Sequence, residues 1–245
     1  REAIDSSLAA NAMVGAPTTW VTDNHDTPRS VGRYAQGTQL LGAYVPATSG
    51  DQGDFDEQRG QHRARAMALL LLALPGAAYI YNGQELGLPN VDDLPESALQ
   101  DPIWEKSGRT NRGRDNCRIP MPWSAEPPAF GFSDNAATWL PMPSHWGQYS
   151  VSRQEDDDDS MLALYRRALA LRAHHPALGC GSLSWLDSSA GVLHLRLDAE
   201  GAAVDVVLNA GTVPVVLPAG DMLLASCDLS AGLLPVDSAV WFSSR

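Results

Sequence analysis

Cysteine is scarce, and its spacing excludes two ways of stabilising a fold. The three cysteines, Cys117, Cys180 and Cys227, show no paired spacing and no cluster of histidines beside them. Disulfide frameworks and structural zinc sites both need such pairs or clusters. We therefore expect neither, and a reducing cytoplasm is the simplest setting for this chain.

Basic residues are also in short supply. The 245 residues include 17 Lys and Arg against 29 Asp and Glu, which gives a formal net charge of −12. Nucleic acids and anionic membrane surfaces attract basic proteins, so neither is an expected partner. A neutral, hydroxyl-rich ligand is compatible with this charge.

Long apolar runs are missing as well. The apolar run at residues 64–74 is broken by Pro75 and Gly76 and is too short to cross a bilayer. The hydrophobic content of 44% nevertheless allows a sizeable core, in one large domain or two smaller ones.

The start of the chain lacks an initiator Met and a signal-peptide pattern. Arg1 already lies in a sequence typical of a helix. We therefore expect this chain to be the carboxyl part of a longer protein, called the parent protein below.

Helix and strand patterns alternate over the first part of the chain. Ala and Leu predict a helix at residues 4–14, and β-branched and aromatic residues predict a strand at residues 18–21. A second helix is predicted at residues 59–74 and a second strand at residues 77–82. This alternation is typical of a parallel α/β sheet or barrel.

Side chains able to do chemistry follow both predicted strands. Asn24, His25 and Asp26 follow the first strand, and Glu85 follows the second. Because α/β folds bind ligands at the carboxyl ends of their strands, we expect these two loops to be neighbours at a binding site. The alternative is structural, since Asn and Asp also stabilise polar turns, and Glu85 can hydrogen-bond the turn beside its two glycines.

A long segment without periodicity, residues 34–56, separates the first strand from the second helix. Loops of this length are usually functional or disordered. Asp51, Asp54 and Asp56 lack the full spacing of a calcium-binding loop, so we interpret them as a solvated acidic loop.

Residues 88–142 form a second long segment without periodicity. Its basic side chains can bind an anion, pair with acidic residues or donate to sugar hydroxyls, and ion pairs that hold the loop are the default from charge alone. The tryptophans fit carbohydrate stacking or ordinary loop packing. These residues are Arg109, Arg112, Arg114 and Arg118, and Trp104, Trp123, Trp139 and Trp146.

The last third of the chain changes from helical to strand patterns. A helix is predicted at residues 160–175, and the acidic run at residues 155–159 is favourable at its start. His174 and His175 lie near the end of this helix, and we interpret them as capping or exposed residues rather than metal ligands. Short β-type runs then predict a small antiparallel β domain. These runs are residues 181–186, 191–197, 203–209, 213–217, 222–225 and 239–242.

Three motifs, in this order, resemble motifs of the α-amylase superfamily (glycoside hydrolase family 13). They are Val-Thr-Asp-Asn-His-Asp at residues 21–26, the run that begins Leu-Pro-Gly-Ala at residues 74–89, and Arg-Gly-Arg-Asp-Asn-Cys-Arg-Ile-Pro-Met-Pro-Trp at residues 112–123. The resemblance is greatest to the α-glucosidase and oligo-1,6-glucosidase branch, particularly actinobacterial-type α-glucosidases. With the final helix and the β runs, it covers nearly the whole chain.

The resemblance implies the C-terminal part of a (β/α)₈ TIM barrel, from about the sixth to the eighth helix, followed by a small antiparallel β-sandwich domain. We expect the barrel portion at residues 1–178 and the β domain at residues 179–245, with Trp20 on the seventh strand and Tyr79 on the eighth. The nucleophilic aspartate and the acid/base glutamate follow the fourth and fifth strands in this family and have no counterpart here. A retaining glycosidase needs both, so we expect the isolated chain to be inactive.

The implied activity of the parent protein is exo-acting α-glucosidase. It would release terminal glucose from maltose- or isomaltose-type oligosaccharides by a retaining mechanism. We expect no cofactor and no metal ion. The expected partners are a small oligosaccharide substrate and the missing part of the barrel. By resemblance Asp26 is the third essential carboxylate and stabilises the transition state, His25 donates to a sugar hydroxyl, and Arg118 holds the terminal glucose. The residues expected to support them are Asn24, Glu85, Arg114 and Asp115.

Two alternative functions are also consistent with the motifs. A trehalose-forming or sucrose-isomerising transglycosylase uses much the same sugar subsite. A non-catalytic partner of a membrane transporter is the other alternative, and the occupied positions of His25, Asp26 and Arg118 argue against it.

Overall fold

The computed structural model describes residues 1–36, 55–217, 219–229 and 232–244. The predicted loop at residues 34–56 falls mostly outside them, as do Asp51 and Asp54. The described helices are α1 (Glu2–Ala12), α2 (Ser30–Ala35), α3 (Glu57–Ala73), α4 (Ile103–Lys106), α5 (Val151–Gln154) and α6 (Met161–His174). Tyr34, predicted to begin a loop, therefore belongs to α2 instead.

Nine strands are present in the described residues, and each of the six predicted β runs after Pro176 overlaps one of them. The strands are β1 (Thr19–Val21), β2 (Ala77–Tyr79), β3 (Ser182–Trp185), β4 (Val192–Ala199), β5 (Ala202–Asn209), β6 (Val215–Val216), β7 (Asp221–Ala225), β8 (Leu233–Leu234) and β9 (Ser238–Ser244). The predicted helices correspond to α1, α3 and α6. The two-residue strand β8 was not predicted.

The chain forms two compact units. The first comprises Arg1–Thr22, His62–Tyr79 and Leu164–Arg245, and the second comprises Asp23–Gln61 and Ile80–Ala163. The expected division between a barrel portion and a β domain at residue 178 stays a prediction.

Strands β1 and β2 pair in parallel in the first unit, as the alternating pattern predicts. Thr19 lies opposite Ala77 and Val21 lies opposite Tyr79. Gly76 precedes β2 with a φ of +118°, and a Cβ atom at this position would lie 2.2 Å from the backbone oxygen of Thr18. Only glycine therefore allows the two segments to approach so closely where the pairing begins.

Arg172 of α6 holds the turn between α3 and β2. Its guanidinium donates to the backbone oxygens of Leu72 (2.5 Å), Leu74 (3.0 Å) and Gly76. The last carbonyl groups of a helix have no partner within the helix, so this single side chain satisfies acceptors that would otherwise be unpaired.

The first unit also contains a five-stranded sheet with strand order β3-β4-β5-β9-β7, antiparallel throughout. Leu195, Val206 and Trp241 lie opposite one another on neighbouring strands and are buried. The indole nitrogen of Trp241 donates to the backbone oxygen of Leu69 (3.1 Å), so this face of the sheet packs on α3. A separate apolar cluster of this unit includes Val207, Val240 and Phe242 of the sheet together with Leu234 of β8.

Where the structure describes it, the second unit is mostly irregular backbone around an apolar core. Its short helices include one-turn 3₁₀ helices at Gln84–Leu86, Glu96–Ala98, Asp115–Cys117 and Trp146–Tyr149. The absence of periodicity in residues 88–142 therefore corresponds to packed loops. The core residues are Leu86, Leu88, Val91, Leu94, Ile119, Met121, Phe130, Leu140, Trp146 and Leu162.

In the part of the chain that the structure describes, no helix combines the length and the apolar character needed to cross a membrane.

Candidate functional site

Asp23 closes the loop that carries the candidate site residues. Its carboxylate is buried and accepts hydrogen bonds from the Ser30 backbone nitrogen (2.9 Å), the Ser30 hydroxyl (3.0 Å) and the Arg33 guanidinium (3.0 Å). The first N–H groups of a helix have no partner within the helix, and Asp23 provides one at the start of α2. Both ends of the loop are thereby fixed.

Removing the Asp23 carboxylate should destabilise the fold. Asp23→Ala removes the buried carboxylate that accepts three hydrogen bonds from Ser30 and Arg33, and we expect a loss of about 3 kcal/mol in the free energy of unfolding. Thermal or urea unfolding of the parent protein measures this loss. Asp134→Ala removes an exposed carboxylate from the same unit and should change stability by less than about 0.5 kcal/mol. Equal stability of the two variants would contradict the assigned role of Asp23.

Asn24 makes the local turn that the structural alternative predicts. Its side-chain oxygen accepts hydrogen bonds from the backbone nitrogen of Asp26 (2.8 Å) and from the hydroxyl of Thr27 (3.2 Å). This turn leaves the side chains of His25 and Asp26 exposed over 69% and 50% of their surfaces. Asn24 therefore shapes the loop, and its neighbours remain available to a ligand.

Two arginines converge on one oxygen of Asp26. Oδ1 accepts from Nη1 of Arg114 (2.7 Å) and from Nη2 of Arg118 (3.2 Å). Oδ2 lies 3.5 Å from Nε2 of His25, and Nε of Arg118 donates to the backbone oxygen of His25 (2.8 Å). The structure therefore brings His25, Asp26, Arg114 and Arg118 together from two distant parts of the sequence.

Asp101 is the site residue that the sequence did not reveal. Its buried carboxylate accepts from Nε of Arg114 (2.6 Å), and Nη1 of Arg118 lies 3.6 Å away. The hydrogen bond from Arg114 lowers the pKa of Asp101 to about 2. An Asp-Pro pair ordinarily indicates a turn, so the pair itself did not mark Asp101 as a site residue. The only signal in the sequence was the excess of arginines at residues 109–118, because buried guanidinium groups need carboxylates nearby.

The low pKa of Asp101 implies that the stability of the fold decreases at acidic pH. Because the folded-state pKa lies below the ordinary value of 3.8, ionised Asp101 stabilises the fold. That contribution is complete above about pH 4 and is lost as the pH falls to about 2. We expect Asp101→Asn to lower the thermal midpoint of the parent protein at pH 7, and we expect this difference from the wild type to shrink between pH 4 and 2. A difference that stays constant over this range would contradict the pairing.

Asp115 fixes the backbone that presents Asp101. Its fully buried carboxylate accepts from the backbone nitrogens of Gln100 (2.5 Å) and Asp101 (2.8 Å), and its other oxygen lies 4.0 Å from Nη1 of Arg118. Asp26, Asp101 and Asp115 thus place three carboxylates around two guanidinium groups. An anionic ligand gains little from such a compensated cluster, whereas a neutral hydroxyl-rich ligand finds both donors and acceptors.

Buried Arg29 supports the loop from inside the second unit. It donates from Nη1 to the backbone oxygen of Asn82 (2.8 Å), and its guanidinium lies 5.0 Å from the ring centre of Tyr81. Burial lowers the pKa of Arg29. The Tyr81 hydroxyl donates to the backbone oxygen of Cys117 (3.3 Å), which precedes Arg118. These contacts therefore link Arg29, through Tyr81, to the backbone that carries Arg118.

Glu85 hydrogen-bonds the turn in which it lies. Its carboxylate accepts from the backbone N–H groups of Gly83 and Glu85 itself, while burial raises its pKa. The positive charge of Arg29 acts in the opposite direction on this pKa. These contacts match the structural alternative for Glu85.

The other arginines and the tryptophans divide into structural and exposed residues. Arg109 pairs with Glu105 at the surface (3.0 Å), and Arg112 donates to the backbone oxygen of Leu94. Trp104 and Trp146 are buried and pack in the fold. Trp123 and Trp139 remain 52% and 60% exposed. Among the described residues, no group of three or more His, Cys, Asp and Glu side chains is placed to hold a metal ion.

Comparisons with known proteins agree with the motifs. The family described as "Alpha amylase, catalytic domain" matches residues 2–181. The chain therefore belongs to the α-amylase catalytic-domain family.

Curated relatives of this chain are glucosidases. It is 35% identical over 174 residues to a probable α-glucosidase of Rhizobium meliloti, a match that covers 71% of this chain and 28% of that protein. It is 30% identical over 185 residues to an α-glucosidase of Pediococcus pentosaceus, with 67% and 30% covered. The chain thus spans less than a third of the length of these relatives.

Solved structures share the fold. An α-glucosyl transfer enzyme, XgtA, superposes with a TM-score of 0.75 at 30% identity, which covers 100% of this chain and 43% of that enzyme. An isomaltulose synthase of Erwinia rhapontici superposes with a TM-score of 0.75 at 21% identity, covering 99% of this chain and 45% of that enzyme. At this lower identity the likeness concerns the fold alone.

Proposed function

We propose that this chain forms one wall of the glucose-binding subsite of an exo-acting α-glucosidase. The parent protein would release terminal α-linked glucose from short oligosaccharides such as maltose or isomaltose. The observation that carries this proposal is the half-exposed Asp26 carboxylate, held on one oxygen by Arg114 and Arg118 and flanked by exposed His25.

Each residue of this cluster has a role in the proposal. Asp26 accepts hydrogen bonds from ring hydroxyls, and these bonds strengthen as the ring approaches an oxocarbenium-like transition state. His25 donates to a hydroxyl of the same ring. Arg118 holds the terminal glucose with paired donors that a lysine does not offer. The compensated charge of the cluster supports a neutral sugar as substrate.

Bond cleavage requires two further carboxyl groups in the parent protein. A retaining glycosidase places its nucleophile and its acid/base about 5 Å apart. The family's counterparts of these groups precede the segment matched by this chain. The proposal therefore assigns binding and transition-state stabilisation to this chain and assigns nucleophilic attack and proton transfer to the rest of the parent protein. The cytoplasmic setting stays a prediction.

Glucosyl transfer is a second candidate function. Its specific support is the 30% identity to the α-glucosyl transfer enzyme XgtA, because both reactions pass through the same bound glucosyl unit. They differ only in whether water or another sugar accepts it.

Product analysis of the parent protein separates these functions. We expect it to release glucose from maltose or isomaltose with retention of the α configuration. Disaccharides or trisaccharides as the main products, or isomerised products from sucrose, would assign it to the transferases. Absence of any reaction with all three sugars would contradict both candidates.

A further inference from the structure

Asp101 connects the two arginines of the site, and none of the sequence motifs includes it. Only 3% of its surface is exposed. Its own backbone nitrogen donates to Asp115 (2.8 Å), and its Oδ1 accepts from the backbone nitrogen of Ile103 (3.1 Å). The carboxylate is therefore fixed in position before it meets either guanidinium.

The contacts of Asp101 determine where Arg114 points. Oδ2 accepts from the backbone nitrogen (3.1 Å) and from Nε (2.6 Å) of Arg114, and Oδ1 lies 3.3 Å from Nη2. A guanidinium is planar and rigid, so contacts at Nε and Nη2 leave Nη1 on the opposite edge. That atom is the one that donates to Oδ1 of Asp26 (2.7 Å).

Arg118 is held between the same two carboxylates. Its Nη1 lies 3.6 Å from Oδ2 of Asp101, and its Nη2 donates to Oδ1 of Asp26 (3.2 Å). Both arginines therefore reach the same oxygen of Asp26, while His25, at 3.5 Å, is the only side chain that pairs with the other oxygen within the part of the chain that the structure describes. This asymmetry suits a carboxylate that must accept a sugar hydroxyl on one side.

We propose that Asp101 is a positioning residue, which holds Arg114 and Arg118 against Oδ1 of Asp26 and thereby keeps Oδ2 open to a sugar hydroxyl. This inference rests on the role proposed for Asp26. Without the Asp101 charge, Asp26 is the main carboxylate facing Arg114, and the guanidinium groups are drawn over both of its oxygens. A hydroxyl must then compete with them, both when substrate binds and in the transition state.

A double-mutant cycle in the parent protein tests this role. Asp101→Asn should lower kcat/KM for an aryl α-glucoside about 10- to 100-fold, which is within the range of coupling between groups in contact. In the Asp26→Asn background the same change should cost less than about 2-fold, because Asp101 acts through Asp26. A merely structural role predicts an equal loss in both backgrounds and would overturn the proposal. Glu105→Gln, which breaks an exposed ion pair in the same segment, should leave kcat/KM unchanged.

A crystal structure of Asp101→Asn provides a readout that needs no activity. We expect one or both guanidinium groups to contact Oδ2 of Asp26 in this variant. If the parent protein acts on no α-glucoside, the proposed function fails, and this structure still decides whether Asp101 positions the arginines. Arginines that keep their contacts with Oδ1 alone would overturn the inference.

Discussion

Asp26→Asn in the parent protein should lower kcat for maltose or isomaltose by about 10²–10³-fold and should leave the fold intact. The amide has the size of the carboxylate but lacks the charge that strengthens hydrogen bonds to ring hydroxyls as positive charge develops on the ring. Steady-state kinetics gives the loss, and circular dichroism with thermal unfolding verifies the fold. The effect should fall mainly on kcat, because the role proposed for Asp26 makes its hydrogen bonds strongest in the transition state.

The matched control for this substitution is Asp134→Asn. Asp134 is an exposed aspartate of the same compact unit, so the change in net charge is identical. We expect its kcat and KM to equal those of the wild type. Near-normal hydrolysis by Asp26→Asn would remove Asp26 from the catalytic machinery.

The isolated 245-residue chain should release no glucose from any α-glucoside. By the family resemblance it carries neither the nucleophile nor the acid/base. Strands β1 and β2 pair only with each other among the described residues, and Val21 and Tyr79 are 46% and 61% exposed. Such a pair leaves strand edges and apolar side chains in water, so we also expect the chain to aggregate.

Glucose assays of the purified chain beside the parent protein test this expectation. Sedimentation or light scattering measures the aggregation. Co-expression with the remaining part of the parent barrel should restore both solubility and activity. Measurable glucose release by the purified chain alone would show that the chemistry lies within these residues after all.

Regular periodicity made much of the fold predictable from the sequence. The β-branched runs correspond to β1 through β7 and β9, and the longer apolar patterns correspond to α1, α3 and α6. Helix α2 escaped prediction because Ser-Val-Gly-Arg-Tyr-Ala has low helix propensity. It forms because Asp23 caps its first turn and because Gly60 allows α3 to approach closely, since a Cβ there would lie 2.4 Å from the Val31 oxygen.

The candidate site was predictable only where a motif carried it. Seven candidate residues were named from the sequence, and the structure brings four of them together, namely His25, Asp26, Arg114 and Arg118. The other three are Asn24, Glu85 and Asp115, and the roles of all seven stay predictions. The contact of Arg114 with Asp26 and the role of Asp101 depend on irregular loop geometry. Sequence periodicity does not relate an Asp-Pro turn to an arginine that lies more than ten residues away across an irregular loop. Such a pair is therefore visible only in the three-dimensional structure.

A crystal structure of the parent protein with glucose bound tests the central claim most directly. We expect one ring hydroxyl within about 3 Å of Oδ2 of Asp26 and another within hydrogen-bond distance of Nε2 of His25. Arg118 should retain its contact with Oδ1 of Asp26 and lie beside the terminal sugar. A glucose ring that binds in the site without touching Asp26, or an Asp26 closed by arginine on both oxygens in that complex, would contradict the account.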